Sequence, residues 1–253
     1  MKRRIYVLAM ACLAFALTSC LNQGDDSNVK PDYICMVNVT TGGVNPVFQM
    51  DGGSFLTPDA TMPADTFQVG ERYFIDFYLG DSTNHTPGTY PISLIRYNKT
   101  IVKNMIELQK DSVDLWGNKP IGNLYPSFSG HYFNAFFVSY AGLTTPNTFE
   151  FIRMKADEHT SPTDTVPNLS FHLRHNVESV ATGMVYYRIY SFDVSSLTTE
   201  FPNAYKFKIK VSWDDANFGW SNYTQYYIPN QQITLPDLLS TNRKSIDLEP
   251  VSF

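Results

Sequence analysis

The sequence predicts an all-β protein of two domains, and three observations carry that prediction. Short runs of strand-forming residues recur along the chain, separated by turn residues. Aromatic content is high at 15%, while charged residues make up only 17%. No long segment repeats its apolar residues at the helical period. An aromatic-rich, charge-poor composition suits sheets with one buried face and does not suit helical bundles. Many short strands at even spacing indicate a sandwich or a barrel, not parallel βαβ units. The length accommodates one large β domain or two small ones.

The first cluster of strand signals covers residues 34–39, 47–50, 72–79, 88–97 and 101–108. The second covers 131–140, 149–154, 169–175, 184–193, 205–213 and 223–228. Between them lie turn signals: Gly42-Gly43, Asp51-Gly52-Gly53, Pro87-Gly88, Trp116-Gly117-Asn118 and Pro146-Asn147. The cleanest strand is YKFKIKVSW. Its Tyr205, Phe207, Ile209, Val211 and Trp213 point one way, and Lys206, Lys208, Lys210 and Ser212 the other. Strict period two means one buried and one wet face, and the lysines would also protect an exposed sheet edge. Residues 65–69 and 194–201 hold short turns at most. The polar stretch DSVDLWGNKP, residues 111–120, separates two clusters of comparable size and marks the domain division. From residue 233 onward periodicity is weak, which predicts an irregular arm over residues 236–253.

Several segments carry a family resemblance. Tyr90-Pro-Ile-Ser-Leu-Ile and Thr100-Ile-Val-Lys-Asn close the first half, and PSFSGHYFNAFF, residues 126–137, opens the second. LSFHLRHN, residues 169–176, leads to YSFDVSSL, residues 190–197. Together these resemble the NigD-like lipoproteins of Bacteroidetes over nearly the whole chain beyond its amino end. The resemblance implies an OB-like β-barrel over residues 33–112 and a β-sandwich over 118–235. It also implies a bacteriocin immunity or accessory role. None of the shared segments is a catalytic signature.

The amino end reads as an address. Lys2, Arg3 and Arg4 precede an apolar run from Ile5 to Leu17. A spanning helix needs about 20 apolar residues; this run is shorter and gives way to small residues, as a cleavable signal does. Leu17-Thr18-Ser19-Cys20 then resembles the bacterial lipobox. The soft thiolate of Cys20 is the group a diacylglyceryl transfer alkylates, with cleavage after residue 19. Two or three acyl chains at roughly 0.8 kcal/mol per buried methylene anchor a protein stably. Residues 20–32 form a polar tether that lacks aromatic residues before Tyr33 and has no bulky β-branched residue apart from Val29. Asp25 and Asp26, just past the cysteine, resemble the surface-export signal of Bacteroidetes lipoproteins; a plain solvated linker is the alternative. The expected location is the outer membrane, lipid-anchored and facing the cell surface, with the membrane itself as partner.

Charge narrows the function classes. The chain carries a formal charge of −5, and losing Lys2, Arg3 and Arg4 makes it −8. That argues against nucleic acid as a partner, because counterion release needs clustered cations. Of three cysteines, Cys12 leaves with the signal and Cys20 is lipidated, so Cys35 has no partner for a disulfide. Within the strand signal YICMV, Cys35 reads as a small buried hydrophobe.

Enzyme signatures such as G-x-S-x-G, H-E-x-x-H and the phosphate-binding loop do not occur. No catalytic residues, metal site or cofactor are expected. On a strand, His172 and Arg174 share one face and His175 joins Phe171 and Leu173 on the other. That face is either an anion contact or simply wet, with His175 closing an edge. DEHTSPTD, residues 157–164, offers hard and borderline metal ligands but reads first as a solvated loop. Asp193, Ser195 or Ser196 can cap amides where YSFDVSSL turns. The strongest candidate ligand site is WDDANFGWSNY. There Asp215, Asn217 and Gly219 turn the chain, and Trp213, Phe218, Trp220 and Tyr223 crowd one tip. Rings stack on sugar C–H faces while carboxylates and amides take hydroxyls, so a glycan is the candidate ligand, with a protein partner or a ring-covered sandwich end as alternatives.

Overall fold

The computed structural model describes residues 32–80, 86–108, 117, 119–140, 147–177, 185–215 and 219–229, with residues 32, 138–140, 147, 157, 177, 185–186 and 220 described in their main chain alone. The expected signal peptide, the tether before Asp32 and the arm over 236–253 lie outside the described residues.

Five strands close into a barrel: β1 (Asp32–Thr41), β2 (Val47–Met50), β3 (Phe55–Pro58), β4 (Arg72–Leu79) and β5 (Thr89–Lys99). Their order is β1-β2-β3-β5-β4, with β4 returning to β1. Neighbours run antiparallel except β3 and β5, which are parallel. Closure removes the sheet edges that invite association. Inside, Val37, Phe48, Leu56, Ile75, Phe77 and Ile92 form a core. Phe67, from the β3–β4 connection, enters it with edge contacts of 4.9 Å to Phe48 and Tyr73. This is the expected OB-like barrel.

The second half is a β-sandwich. One sheet has the order β14-β13-β11-β10-β7, built from β7 (Ile106–Leu108), β10 (Asn147–Met154), β11 (Asn168–Val177), β13 (Phe207–Asp215) and β14 (Gly219–Tyr227). The other has the order β6-β12-β9-β8, from β6 (Ile101–Asn104), β8 (Gly122–Ser129), β9 (Tyr132–Tyr140) and β12 (Val185–Asp193). Alternate residues of each sheet meet between them. Phe133 stacks on Phe151 at 4.1 Å, and Phe137 meets Phe149 at 4.2 Å. Phe171, Tyr190 and Phe192 complete an aromatic layer, which accounts for the ring-rich composition. A five-residue helix, α1 (Ser196–Glu200), follows β12; the Asp193 carboxylate accepts the Ser195 N–H at 2.7 Å, the cap expected there.

Three differences from the sequence reading have physical causes. The stretch 101–108 is not one strand of the barrel. It breaks at Met105: β6 pairs with β12, and β7 pairs with β10 in the opposite sheet. The barrel therefore ends at Lys99, and the single residue Thr100 joins the two modules. The polar stretch 111–120 instead connects two strands of the sandwich. Strand β8 gave no signal, because Asn123 adopts a φ of 41° at a bulge and Pro126 interrupts the pattern. Both are tolerated because β8 is an edge strand. Strand β13, finally, is interior, flanked by β11 and β14, so its lysines do not guard an edge.

The modules are locked by one buried cation. β4 has its odd residues in the barrel core, yet Arg72 and Phe74 on the outer face are buried too. Phe74 meets Phe136 of β9 at 5.6 Å. The Arg72 guanidinium donates from Nε to Ser191 Oγ at 2.9 Å, and from one terminal nitrogen to Asn38 Oδ1 at 3.2 Å and Asp51 Oδ1 at 2.6 Å. Its other terminal nitrogen donates to Asp51 Oδ2 at 2.5 Å and Asn134 Oδ1 at 3.2 Å. All five N–H groups are thereby used. The Tyr132 ring covers the cation at 4.0 Å. Asp51 also accepts from Ser129, and Gly130, in the β8–β9 turn, has a φ of 56°. A Cβ on Gly130 would approach Asp51 to 3.2 Å.

Removing one partner of such a pair strands a buried charge, at about 3–5 kcal/mol. Arg72→Ala is expected to lower unfolding free energy by that amount in denaturant titrations. Asp51→Asn, which leaves the buried Arg72 charge without a counterion and turns an amide N–H toward a guanidinium N–H, is expected to cost a comparable amount.

Candidate functional site

The β13–β14 hairpin carries the residues singled out for ligand binding. Asp215 pairs with Gly219, so the connection is residues 216–218; Asn217 and Phe218 lie in it, outside the described residues. The strand parity of Phe207, Ile209 and Val211 continues through Trp213 and Asp215, which are 8% and 9% exposed. The Trp213 indole N–H donates to Asp215 Oδ2 at 3.4 Å. Both residues therefore face the sandwich interior instead of a loop tip, because the strand runs two residues further than its sequence signal. The Trp220 main chain pairs with Asp214, and Tyr223 pairs with Val211 with its side chain half-exposed. Trp213 and Asp215 are brought together, but Tyr223 lies four residues along the returning strand from Gly219, the partner of Asp215. The described residues do not assemble a ring platform here. Cys20, Asp25 and Asp26 lie outside the described residues.

His172-Leu-Arg-His175 sits on β11, an interior strand, so His175 closes no edge. Its ring stacks on Phe149 at 4.2 Å with planes 8° apart, and Nδ1 lies 3.1 Å from the Pro120 carbonyl. Arg174 is buried, so the face it shares with His172 is not simply wet. The two histidines diverge, as the spacing requires. Cys35 is half-buried against the barrel core. Burial, and then the Asp51 carboxylate, push its thiol pKa up, which disfavours the thiolate a nucleophile needs.

DEHTSPTD is not only a solvated loop. The Glu158 carboxylate accepts from Arg153 Nε at 3.0 Å and from a terminal nitrogen at 2.7 Å, and it takes the Ser170 N–H. Arg153, itself 1% exposed, also pairs with Glu107 and Glu200, and Lys155 joins both. Burial works against an ionised Glu200, but Arg153 and Lys155 outweigh it and hold the carboxyl below its usual range. This cluster ties β7, β10, α1 and the loop after β10 together. It is structural, and its acidic oxygens are taken by cations. Asp164 accepts the Ser161 N–H within the loop. Among the described residues no group of three potential ligands is placed to hold a metal ion.

The sequence did not reveal one surface feature. The outward face of β13, continued by Lys206, lies beside exposed rings. Lys206 Nζ is 4.7 Å from the Tyr226 ring centroid and 5.3 Å from that of Tyr205. The period-two lysines were the available signal; their aromatic neighbour on β14 was not legible without the strand register.

One titration is accessible to experiment. Burial lowers the His175 pKa against the opposing hydrogen bonds that its ring donates to the backbone at Pro120 and Lys119. The unfolded chain, with a histidine pKa near ~6.5, then binds more protons than the folded one, so stability is present above that pH and is lost as pH falls through it. Thermal unfolding followed from pH 7.5 to 5.5 is expected to show this loss, and His175→Phe to flatten it.

No family model and no curated protein sequence matches the chain. Solved structures do. A DUF1344 protein of unknown function from Bacteroides vulgatus superposes with a TM-score of 0.62 at 20% identity, covering 83% of this chain and 99% of that one. A NigD-like immunity protein from Bacteroides caccae gives 0.58 at 13% identity, over 78% and 97%. A candidate lipoprotein from Bacteroides fragilis gives 0.55 at 18% identity, over 78% and 96%. With a closed five-stranded barrel followed by a two-sheet sandwich, the chain has the fold of these Bacteroidetes proteins, and the resemblance to the NigD-like proteins holds at the level of fold.

Proposed function

We propose that the chain is a lipid-anchored, non-catalytic binding or accessory protein of the Bacteroidetes cell envelope, held at the outer membrane and facing the cell surface. The carrying observation is the order of its first residues: three basic residues, a short apolar run, Leu17-Thr18-Ser19-Cys20 and then an acidic polar tether. The candidate lipoprotein among the structures of the same fold supports the anchor. A non-catalytic role agrees with the buried positions of Trp213, Asp215 and His175 and with the raised thiol pKa of Cys35. Asp25 and Asp26 act in this reading as the export signal.

A second reading, bacteriocin immunity or an accessory role in it, is favoured by the fold shared with the NigD-like immunity protein. Glycan binding by Trp220 and Tyr223 alone keeps less support, since Trp213 and Asp215 are turned inward.

Growth of the native bacterium with labelled palmitate tests the anchor. Wild type is expected to take up label and to partition with membranes, and Cys20→Ala to do neither. Protease added to intact cells is expected to degrade the wild-type protein, and substitution of Asp25 and Asp26 by Ala to protect it. Unlabelled wild-type protein would overturn the anchor. Protease resistance of the wild type would overturn surface exposure.

A further inference from the structure

Many cations of this chain have found carboxylates. Lys99 pairs with Glu71, Lys103 with Glu150 and Lys155 with Glu107, while Arg72, Arg96 and Arg153 hold Asp51, Asp76 and Glu158. Lys206, Lys208 and Lys210 differ. Among the described residues no carboxylate pairs with any of them, although acidic residues outnumber basic ones, 24 to 19. The nearby Glu158 carboxylate is committed to Arg153 and to the Ser170 N–H.

Geometry makes these three a single feature. Period two puts them on one face of the β13 line, roughly 7 Å apart. Like charges at that spacing repel one another, so the row is favourable only when an anion meets it. The flanking strands add polar groups: Lys208 is opposite Asn168 of β11 and Tyr226 of β14, and Lys210 is opposite Ser170 and Thr224. At one end, the Lys206 ammonium stands between two rings that are 61% (Tyr205) and 54% (Tyr226) exposed. A cation over a ring holds that ring in place, and at such exposure each ring keeps surface in solvent. Among the described residues the strip borders an edge strand, β14.

We propose that this outer face of β13 and β14 binds an acidic polysaccharide, a chain of hexuronic or sulfated sugars. Anionic groups meet the lysine row, sugar C–H faces lie on Tyr226 and Tyr205, and hydroxyls bond Asn168 and Thr224. Duplex DNA packs one charge per roughly 1.7 Å, which an acidic protein with three cations in a row matches poorly. An acidic glycan spaces its charges by whole sugars, a sparser array that a few cations can match. The inference rests on the reading of the chain as a binding module but not on its lipid anchor.

Full-length protein in nonionic detergent, run in native gels containing polygalacturonate, chondroitin sulfate or neutral pullulan, tests it. Retardation by an acidic polymer and not by pullulan is expected. Replacing the three lysines by alanine is expected to weaken it at least about tenfold, or 1.4 kcal/mol, and Tyr226→Ala to weaken it measurably, both with unchanged melting temperature. Lys208→Glu replaces the triple variant should that one fail to fold. The proposal is overturned if neither acidic polymer retards the protein, or if the lysine variants migrate as wild type does. Unchanged retardation of Tyr226→Ala would reduce it to simple ion exchange and overturn it as well. Equal affinity for single-stranded DNA would also overturn it. Lipidation of Cys20 does not enter the assay, so loss of the anchor and loss of this site are separate outcomes.

Discussion

The Arg72 guanidinium is the constraint on which the arrangement of the two modules depends. It is 1% exposed, so its charge had to be compensated within the protein. Asp51 supplies the charge from the barrel, and Asn134 and Ser191 supply acceptors from the sandwich. These second-module groups are themselves tied: Ser191 donates to Asn134, and Asn134 to Ser129, which donates to Asp51. A shift of one module against the other would break several of these bonds at once. Thr100 works with the network, because a one-residue link leaves no slack and its N–H is bonded to the Arg72 carbonyl at 2.8 Å. The protein is thus two cores joined by a polar, geometrically specific contact, not two beads on a string.

What could be read from the sequence follows from the range of each interaction. Residues 47–50 and 72–79 were legible to the residue as strands, and the β13 pattern gave its buried face, because alternation is local. The OB-like and sandwich assignment came from family segments and holds. The domain boundary was misplaced because turn residues at 111–120 look like a linker, whereas the true joint at Thr100 sits in a continuous strand-like run. Arg72 could not be singled out: its partners lie 21, 62 and 119 positions away. Trp213 and Asp215 were read as a ligand tip because a strand's end is the least certain part of its signal, and two more residues reversed their surroundings. Glu158 was read as solvated because Arg153 and its other carboxylates come together only through the sheet.

The same economy separates core from surface. Rings that could have made a binding site, Phe133, Phe149, Phe151 and Phe171, stack between the sheets instead. Charges that could have made a reactive centre are neutralised in the Arg72 and Arg153 clusters. Among the described residues, lysines without a carboxylate partner are left on the outer face of the larger sheet, in the row Lys206, Lys208 and Lys210 beside Tyr205 and Tyr226.

Strand β1 has a mechanical consequence. It is the first described strand, and it is bonded on both sides, to β2 and to β4. A pull from the amino-terminal side enters at Asp32 along the strand axis, so both ladders are loaded in shear and their bonds resist together. Had the chain entered through an edge strand, the same axial pull would have been resisted by one ladder instead of two. A load carried along β1 would therefore meet both ladders before it reached the sandwich.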